Sequence, residues 1–559
     1  MTPQRRKTYP LDRAATTMMG IWAIIIVAML LLGSQALPQV RTFSWQNGPV
    51  KASDVAFLIT FTQPMEPESV EENLVIEPAL PGKFSWAGRR MAYTLEAPAP
   101  YGESFELTLP NAKALNGREG FESFDTAFQT RDRVFAYIGA EGEETDRLVI
   151  FNLTAQEKTI LTSADQTVLD FQPYPERDRI LFSAVGTSET TDRVASAQLY
   201  TVTTGLGYSA AKPAWQFWKQ QDAPVEAGQT ELVLDNEQFQ NLKFDLAPNG
   251  ESFVVQRVEQ NNPSNYGPWL VKPGTPPRKI KTEPGGDFKV APDSVSLLLQ
   301  QGKGTAVIDL APEDSETETE TLLLDFLPEY GLTLDIANDG TSAALVNFNQ
   351  DNPEDRFTQS LFWVTNRGEE KLLLQTDGSI ASAQFNESNK LLYCLVNQLV
   401  KNNEQNDETS QNSENTTAGE VESLGNESTE QNVVTEQGTA SESAGEGTEE
   451  EPIDLLNETF TLSPYLTAVN VETGKVQQLI EMPPQPETTV SLSPDGLAIL
   501  FDEVLVNDPG AAADEFEGAT HRLWILPLFS TPEERLNEEP TPLPPAALEI
   551  AGHHPIWLP

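Results

Sequence analysis

The sequence predicts an all-β fold in which a seven-bladed β-propeller follows a small Ig-like β-sandwich and an N-terminal transmembrane helix. Three observations carry that expectation. First, a strand, tight turn, strand unit recurs on a base period of about 45 residues with four short strands to each period, the signature of a radially repeated sheet. Its clearest copy is TVSLSPDGLAILF from Thr489, where Val490 and Leu492 alternate with polar neighbours before Pro494-Asp495-Gly496 turns the chain into an apolar run. Second, 41 Pro and 35 Gly supply turns, while 26 Phe and 9 Trp supply cores. Third, residues 41–132 alternate apolar and polar between turn signals without belonging to the repeat.

The charge excludes one class of partner. With 36 basic and 84 acidic residues the formal charge is −48, which repels phosphate backbones and anionic lipid surfaces, so nucleic acid is not expected. The single cysteine, Cys394, lies in an apolar strand (LLYCLV); it allows no internal disulfide and fits a small buried hydrophobe.

Residues 1–13 form a basic tail with Arg5, Arg6, Lys7 and Arg13 against Asp12, followed by an uncharged stretch at 14–40. Its apolar heart, MMGIWAIIIVAMLLLG from Met18, with flanks on both sides reaches about 20 residues, enough to span ~30 Å of hydrocarbon as a helix. The basic flank places the N-terminus in the cytoplasm. The competing reading is a cleaved signal peptide with Ser34-Gln35-Ala36 as its small-x-small site, although the apolar core exceeds a usual signal core. Under either reading the chain after Val40 is exported, to the cell surface or periplasm.

Residues 41–132 read as strands at VAFLITF, FSWAG, MAYTL, SFELTLP and FDTAFQT, the spacing of a small sandwich, with Trp86 expected to plug its core. The run Thr60-Phe61-Thr62-Gln63-Pro64-Met65 is followed by Val70, a strand from Asn73 to Pro78, Gly82-Lys83-Phe84-Ser85-Trp86, Tyr101-Gly102, Phe105 to Leu109, Asn116-Gly117 and the closing Phe128-Gln129-Thr130. In that order these residues resemble the SbsA-type bacterial Ig-like domain, a resemblance that implies a spacer or adhesion module of envelope proteins without catalytic residues.

Residues 133–559 carry the repeats. Turn units recur as FQPYPERDRILF from Phe171, FDLAPNGESFVV from Phe244, FKVAPDSVSLLL from Phe288, LDIANDGTSAALV from Leu334, and AQFNESNKLLYCLV from Ala383, with a shortened last copy, PIWLP, from Pro555. Third strands follow at Leu148, Gln198, Trp269, Ala306, Leu361, Tyr465 and Leu523, seven in all against six complete turn units. RVFAYI, from Arg133, starts where a blade's second strand belongs, so the strand around Trp557 is expected to supply the missing first strand and close the ring, leaving no exposed sheet edge. Trp557 is aligned with Leu492, Leu246, Val290, Ile336, Phe385 and Phe171, an inward place between blades. These Pro-Asp-Gly-like units resemble the repeats of TolB-type, WD-like propellers.

Two insertions interrupt the repeats. The first contains PAWQFWKQQ, where Trp215, Phe217 and Trp218 either pack back on the blade beneath or form a partner-binding loop. The second, 402–451, has 14 acidic and no basic residues among Asn, Gln, Ser, Thr and Gly, and is expected to be a disordered loop within one blade.

Catalytic signatures are missing: no Gly-x-Ser-x-Gly elbow, phosphate loop, His-Glu-x-x-His or cysteine pair occurs. The repeats leave no room for an α/β-hydrolase domain of about 200 residues or more, so a propeller peptidase is not expected. His521 and His553-His554 lack an obvious third ligand, so no metal, cofactor or catalytic residue is assigned. The reading is a non-catalytic, membrane-anchored binding or scaffold protein for a protein or glycan of the cell envelope. The alternative is a propeller hydrolase or lyase acting on cell-wall or extracellular carbohydrate through a carboxylate pair hidden among the acidic residues.

Because long polar insertions cost only ~0.6 kcal/mol per doubling of loop length, joining Lys401 to Pro452 is expected to leave the melting temperature nearly unchanged. A drop of many degrees would show that the insertion packs on the fold.

Overall fold

The computed structural model describes residues 10–33, 37–46, 48–115, 120–187, 195–207, 225–310, 323–350, 353, 355, 358–401, 460–485, 488–505 and 520–559. Met1–Gln398 together with Ser463–Pro559 form one compact body, and Leu399–Leu462 separates as a second. The 402–451 insertion and the aromatic loop with Trp215, Phe217 and Trp218 lie outside the described residues.

The chain opens with a helix, Pro10–Gly33, whose side chains are described over 14–28 and are exposed throughout that stretch. Among the described residues no helix is long and apolar enough to cross a membrane. The apolar stretch expected to do so continues past 28, beyond the described side chains.

The next segment folds as two facing sheets. One orders Val40–Phe43, Ala56–Phe61, Arg90–Leu95 and Gly82–Ala87; the other orders Val75–Glu77, Ser104–Leu109 and Phe124–Gln129. Period-two alternation puts Phe57, Ile59 and Phe61 of one sheet and Phe105, Leu107 and Leu109 of the other into a shared buried core. Trp86 takes the edge of that core rather than its centre: it stacks on Phe61 at 6.0 Å while its Nε1 donates to Glu71 at 2.8 Å. The central tryptophan is Trp45, buried against Phe57 and Phe128, at 5.2 and 5.1 Å.

After Asp132 the described strands build four-stranded antiparallel sheets. Five are separate, beginning at Gln166–Pro173, Phe239–Leu246, Phe288–Val290, Leu332–Ile336 and Ser379–Phe385. The remaining strands form one continuous sheet of seven, because Ala546–Trp557 is shared between two sets of partners. Its first half pairs with Thr520–Pro527, with Ala551 opposite Arg522; its second half pairs with Val134–Gly139, with Trp557 opposite Phe135. The register slips between His553 and Ile556. Divided at that slip, the sheet is two units of four, so seven four-stranded units are described, numbered here from the one that contains Val134–Gly139. Each third-strand segment read from sequence lies in the third strand of its unit. The architecture is propeller-like.

The turn after each first strand explains why a full Pro-Asp-Gly is dispensable. The third turn residue has a left-handed backbone in all six complete units: Gly250, Gly340 and Gly496, but also Arg177, Ser294 and Asn389, at φ between 59 and 70°. Glycine adopts that conformation freely and asparagine tolerates it, whereas arginine and serine must be held there by neighbours. The same turns correct one alignment. The amides of Tyr174, Ala247, Ala291, Ala337, Asn386 and Ser493 close equivalent hydrogen bonds, so the residue matching Trp557 in the second unit is Pro173, not Phe171.

Trp557 is buried between the seventh and first units in a cluster with Phe135, Tyr137, Leu500, Leu523 and Ile550. Its ring meets Phe135 edge-on at 5.7 Å. Trp557→Ala is therefore expected to cost ~3 to 5 kcal/mol. A truncation after Ile550 should also leave one edge of Val134–Gly139 unpaired and open to protease. A truncated protein that melts like the full chain with no new cleavage there would contradict the shared-strand arrangement.

Candidate functional site

The first strands of the units touch one another in cyclic order, and the contact is made by one repeated position. It lies immediately before the apolar residue that precedes each turn, and in six units it is polar: Gln172, Asp245, Lys289, Asp335, Gln384 and Ser491. Gln172 Oε1 accepts the amide of Leu246 at 2.7 Å, and Asp245 Oδ2 accepts that of Val290 at 2.6 Å. Lys289 Nζ donates to Asp335 Oδ1 at 2.8 Å and to the carbonyl of Leu334 at 3.0 Å. Asp335 Oδ2 accepts the amide of Phe385 at 2.8 Å, Gln384 Oε1 that of Leu492 at 2.8 Å, and Ser491 Oγ that of Trp557 at 3.1 Å. The first unit has Ile556 at this position and makes its link differently: His554 Nε2 lies 3.3 Å from Asp170 Oδ1 of the second. Every unit is thus stitched to the next, and the seventh to the first.

The electrostatics of this belt are those of a neutralised ring. Burial raises the Asp245 carboxyl above its ordinary range, against the pull of Lys289, the Val290 amide, Lys243 and Gln172. For Lys289 burial alone would act downward, but Asp335 and Asp245 outweigh it and hold the ammonium above its usual value. Lys243, which pairs with Asp287, is shifted down by burial, with Lys289 adding to that and Asp245 and Asp170 opposing it. Asp245 and Asp335 spend acceptor oxygens on backbone amides, and a carboxylate so committed is poorly placed for general acid or base work.

The histidines meet at the crossing between the seventh and first units. Asp502, buried, accepts the amides of Thr489 at 2.6 Å and His554 at 3.0 Å, and burial raises its carboxyl despite both bonds. Among the described residues no group of three or more His, Cys, Asp or Glu is placed to hold a metal ion. Cys394 is buried, and burial pushes its thiol up, which suits a packing role.

A cleft of about 560 Å³ opens between the fourth and fifth units, with Leu298, Val307, Ile336 and Val364 as floor and Asp293, Asp339 and Thr341 at the rim. That is ligand-sized. Its rim groups are turned inward on their own turns, Asp293 to the amides of Val295 and Ser296 at 2.9 Å and Asp339 to the amide of Thr341 at 3.0 Å.

On the turn side of the seventh, first and second units sits the sandwich. Asp495 of the one complete Pro-Asp-Gly turn accepts the Tyr101 amide at 2.9 Å, and Arg133 Nε donates to the Tyr101 carbonyl at 3.0 Å. Arg535 Nη1 reaches the Asp495 carbonyl at 2.5 Å and its Nη2 the carbonyl of Pro98. Arg131 donates to the carbonyls of Pro559 at 2.8 Å and Pro175 at 3.2 Å, and pairs with Glu176 at 3.2 Å. The belt and this junction were both missed from sequence. The belt did leave a signal, a polar residue at one aligned position in six of seven units.

No protein-family model matches this chain, and no curated protein matches it. Among solved structures, TolB from Acinetobacter baumannii is similar at 10% identity over 87% of this chain and 83% of its own, with a TM-score of 0.35. An oligogalacturonate lyase from Vibrio parahaemolyticus is similar at 10% identity over 71% and 91%, TM-score 0.40. The apo form of prolyl oligopeptidase B from Galerina marginata is similar at 10% identity over 84% of this chain and 51% of its own, TM-score 0.39. The fold description rests on the strand pairing above.

Asp335→Ala removes the acceptor of the Phe385 amide and a partner of Lys289, and should cost ~1 to 3 kcal/mol in a thermal melt. Asp335→Asn keeps an acceptor and should cost less. Equal melting of the two variants and the parent would show that the belt bond carries no stability.

Proposed function

We propose that this chain is a non-catalytic, membrane-anchored extracytoplasmic binding protein. In this reading the uncharged stretch 14–40 crosses the membrane, 41–132 is an SbsA-type Ig-like spacer, and 133–559 is a seven-bladed propeller closed through Ala546–Trp557. The propeller presents its surface to a protein or glycan of the cell envelope. The observation that carries the reading is the helix. Met18, Met19, Ile21, Trp22, Ile24, Ile26 and Val27 all have more than half of their surface exposed. Apolar residues on every side of a helix call for an apolar surrounding, and at 1.5 Å per residue the uncharged part of the helix, 14–33, reaches about 30 Å, the thickness of a bilayer core.

The non-catalytic part is supported by the belt, in which Asp245 and Asp335 are bound to amides. A retaining or inverting glycosidase would need two free carboxyls about 5 to 10 Å apart at one opening. The aromatic loop with Trp215, Phe217 and Trp218 is the proposed partner contact, since loops on rigid scaffolds commonly carry binding and tryptophan anchors commonly dominate it.

After an alkaline wash of membranes the protein should stay in the pellet, and a variant lacking 1–40 should move to the soluble fraction. A mature protein whose N-terminus begins near Leu37 would overturn the anchor. For the loop, Trp215→Ala with Trp218→Ala should weaken partner capture while leaving the melt unchanged; a loss of ~3 kcal/mol or more per ring would mean the rings are core instead.

A further inference from the structure

The chain has three histidines, and all three converge where Ala546–Trp557 passes from the seventh unit to the first. His521 stands opposite Val504 in Thr520–Pro527, and its ring lies 5.2 Å from that of His553. Its Nδ1 is buried without a hydrogen-bond partner. His554 takes a left-handed backbone, φ 55°, inside the register slip, and its ring sits edge-on to Phe171 at 5.3 Å. Its side chain meets Asp170 at 3.3 Å and Thr489 at 3.5 Å, so one histidine faces a carboxylate while the other two face each other.

We propose that this crossing is a proton-responsive seam: acidification that protonates His553, packed against His521, loosens the pairing of Ala546–Trp557 with Val134–Gly139. A positive charge on His553 in this half-buried place is disfavoured by burial, and the surroundings give it little compensation. Each neighbouring element bears this out. Val134–Gly139 offers only Tyr137, whose hydroxyl is bonded to Glu144. Ala498–Leu505 offers Asp502, whose oxygens accept the Thr489 and His554 amides and whose charge acts on His521 and His554 rather than on His553, and Glu503, which is drawn to Arg522. Thr520–Pro527 carries Arg522, next to His521 in the chain and opposite Glu503. Gln166–Pro173 offers Asp170, engaged by His554. Val490–Leu492 carries no ionisable side chain.

The direction follows from linkage. Burial, and then the charges of His521 and His554, pull His553 down from 6.5 to about 4. Once the seam opens, the ring regains its ordinary affinity, so the open form takes up a proton between those two values and the closed form does not. The seam is therefore intact near neutrality and weakens as pH falls from 6.5 towards 4.

The inference rests on the described strand pairing and is independent of the anchor and of any partner. The test is hydrogen exchange of the full chain in detergent micelles, corrected for intrinsic rates, comparing Val134–Gly139 with Ser342–Asn347 as reference strand. From pH 7 to pH 5 the opening equilibrium of Val134–Gly139 should rise about 20-fold relative to the reference. The rise should disappear in His553→Gln, or shrink in His521→Gln if the first variant does not fold. No rise in the parent, an equal rise in the reference strand, or the same rise in the variants would overturn the seam.

Discussion

The constraint on which the rest of this structure depends is that the backbone amides at the ends of five of the seven first strands find acceptors outside their own sheets. A four-stranded sheet leaves its first strand with one unpaired edge, and a buried amide without an acceptor costs about as much as a lost hydrogen bond. The acceptors come from the neighbouring unit, through Gln172, Asp245, Asp335, Gln384 and Ser491. A bond of this kind works only if every unit has a neighbour on each side, which an open array denies to its two ends. Sharing Ala546–Trp557 between the seventh and first units meets that demand and removes two sheet edges at once.

The sandwich is held by the same elements that complete the cycle. Asp495 lies in the turn after the first strand of the seventh unit, Pro559 follows the last strand, and Glu176 and Arg177 form the turn of the second unit; all four take part in contacts with 98–133. Asp495 is nearly fully buried and serves both its own turn, through Leu497 and Ser493, and the Tyr101 amide. Closure of the cycle and seating of the sandwich are thus coupled. The sandwich is thereby fixed in orientation on the units it touches.

Much of the fold was legible because its signals are local. Alternation marked the strands around Phe57 and Phe105, and turn chemistry marked six of the seven units. The role of the last strand was legible by counting, since seven third strands and six turn units leave one first strand to be found. What escaped was what depends on contacts between distant segments. Trp45 fills the sandwich core from a short stretch with no alternation to announce it, while Trp86, in a clear strand, sits at the edge. Phe171 was misaligned because Pro173 interrupts the apolar pattern of its unit. The belt residues are hydrophilic and read as solvent-facing, and the meeting of His521 with His553 depends on a register that no local pattern encodes.

The claim at the centre of this account is that the last strand closes the cycle by pairing with the strand that begins the repeats. Ile556 and Ala136 stand directly opposite each other across that pairing, and the native Cys394 is buried away from it. Ile556→Cys with Ala136→Cys, oxidised in the folded protein and resolved by mass spectrometry of its peptides, tests the pairing most directly. The account predicts that an intramolecular disulfide between the two forms nearly completely without loss of the cooperative melt; a folded protein in which both thiols stay free, or bond only between molecules, would contradict it.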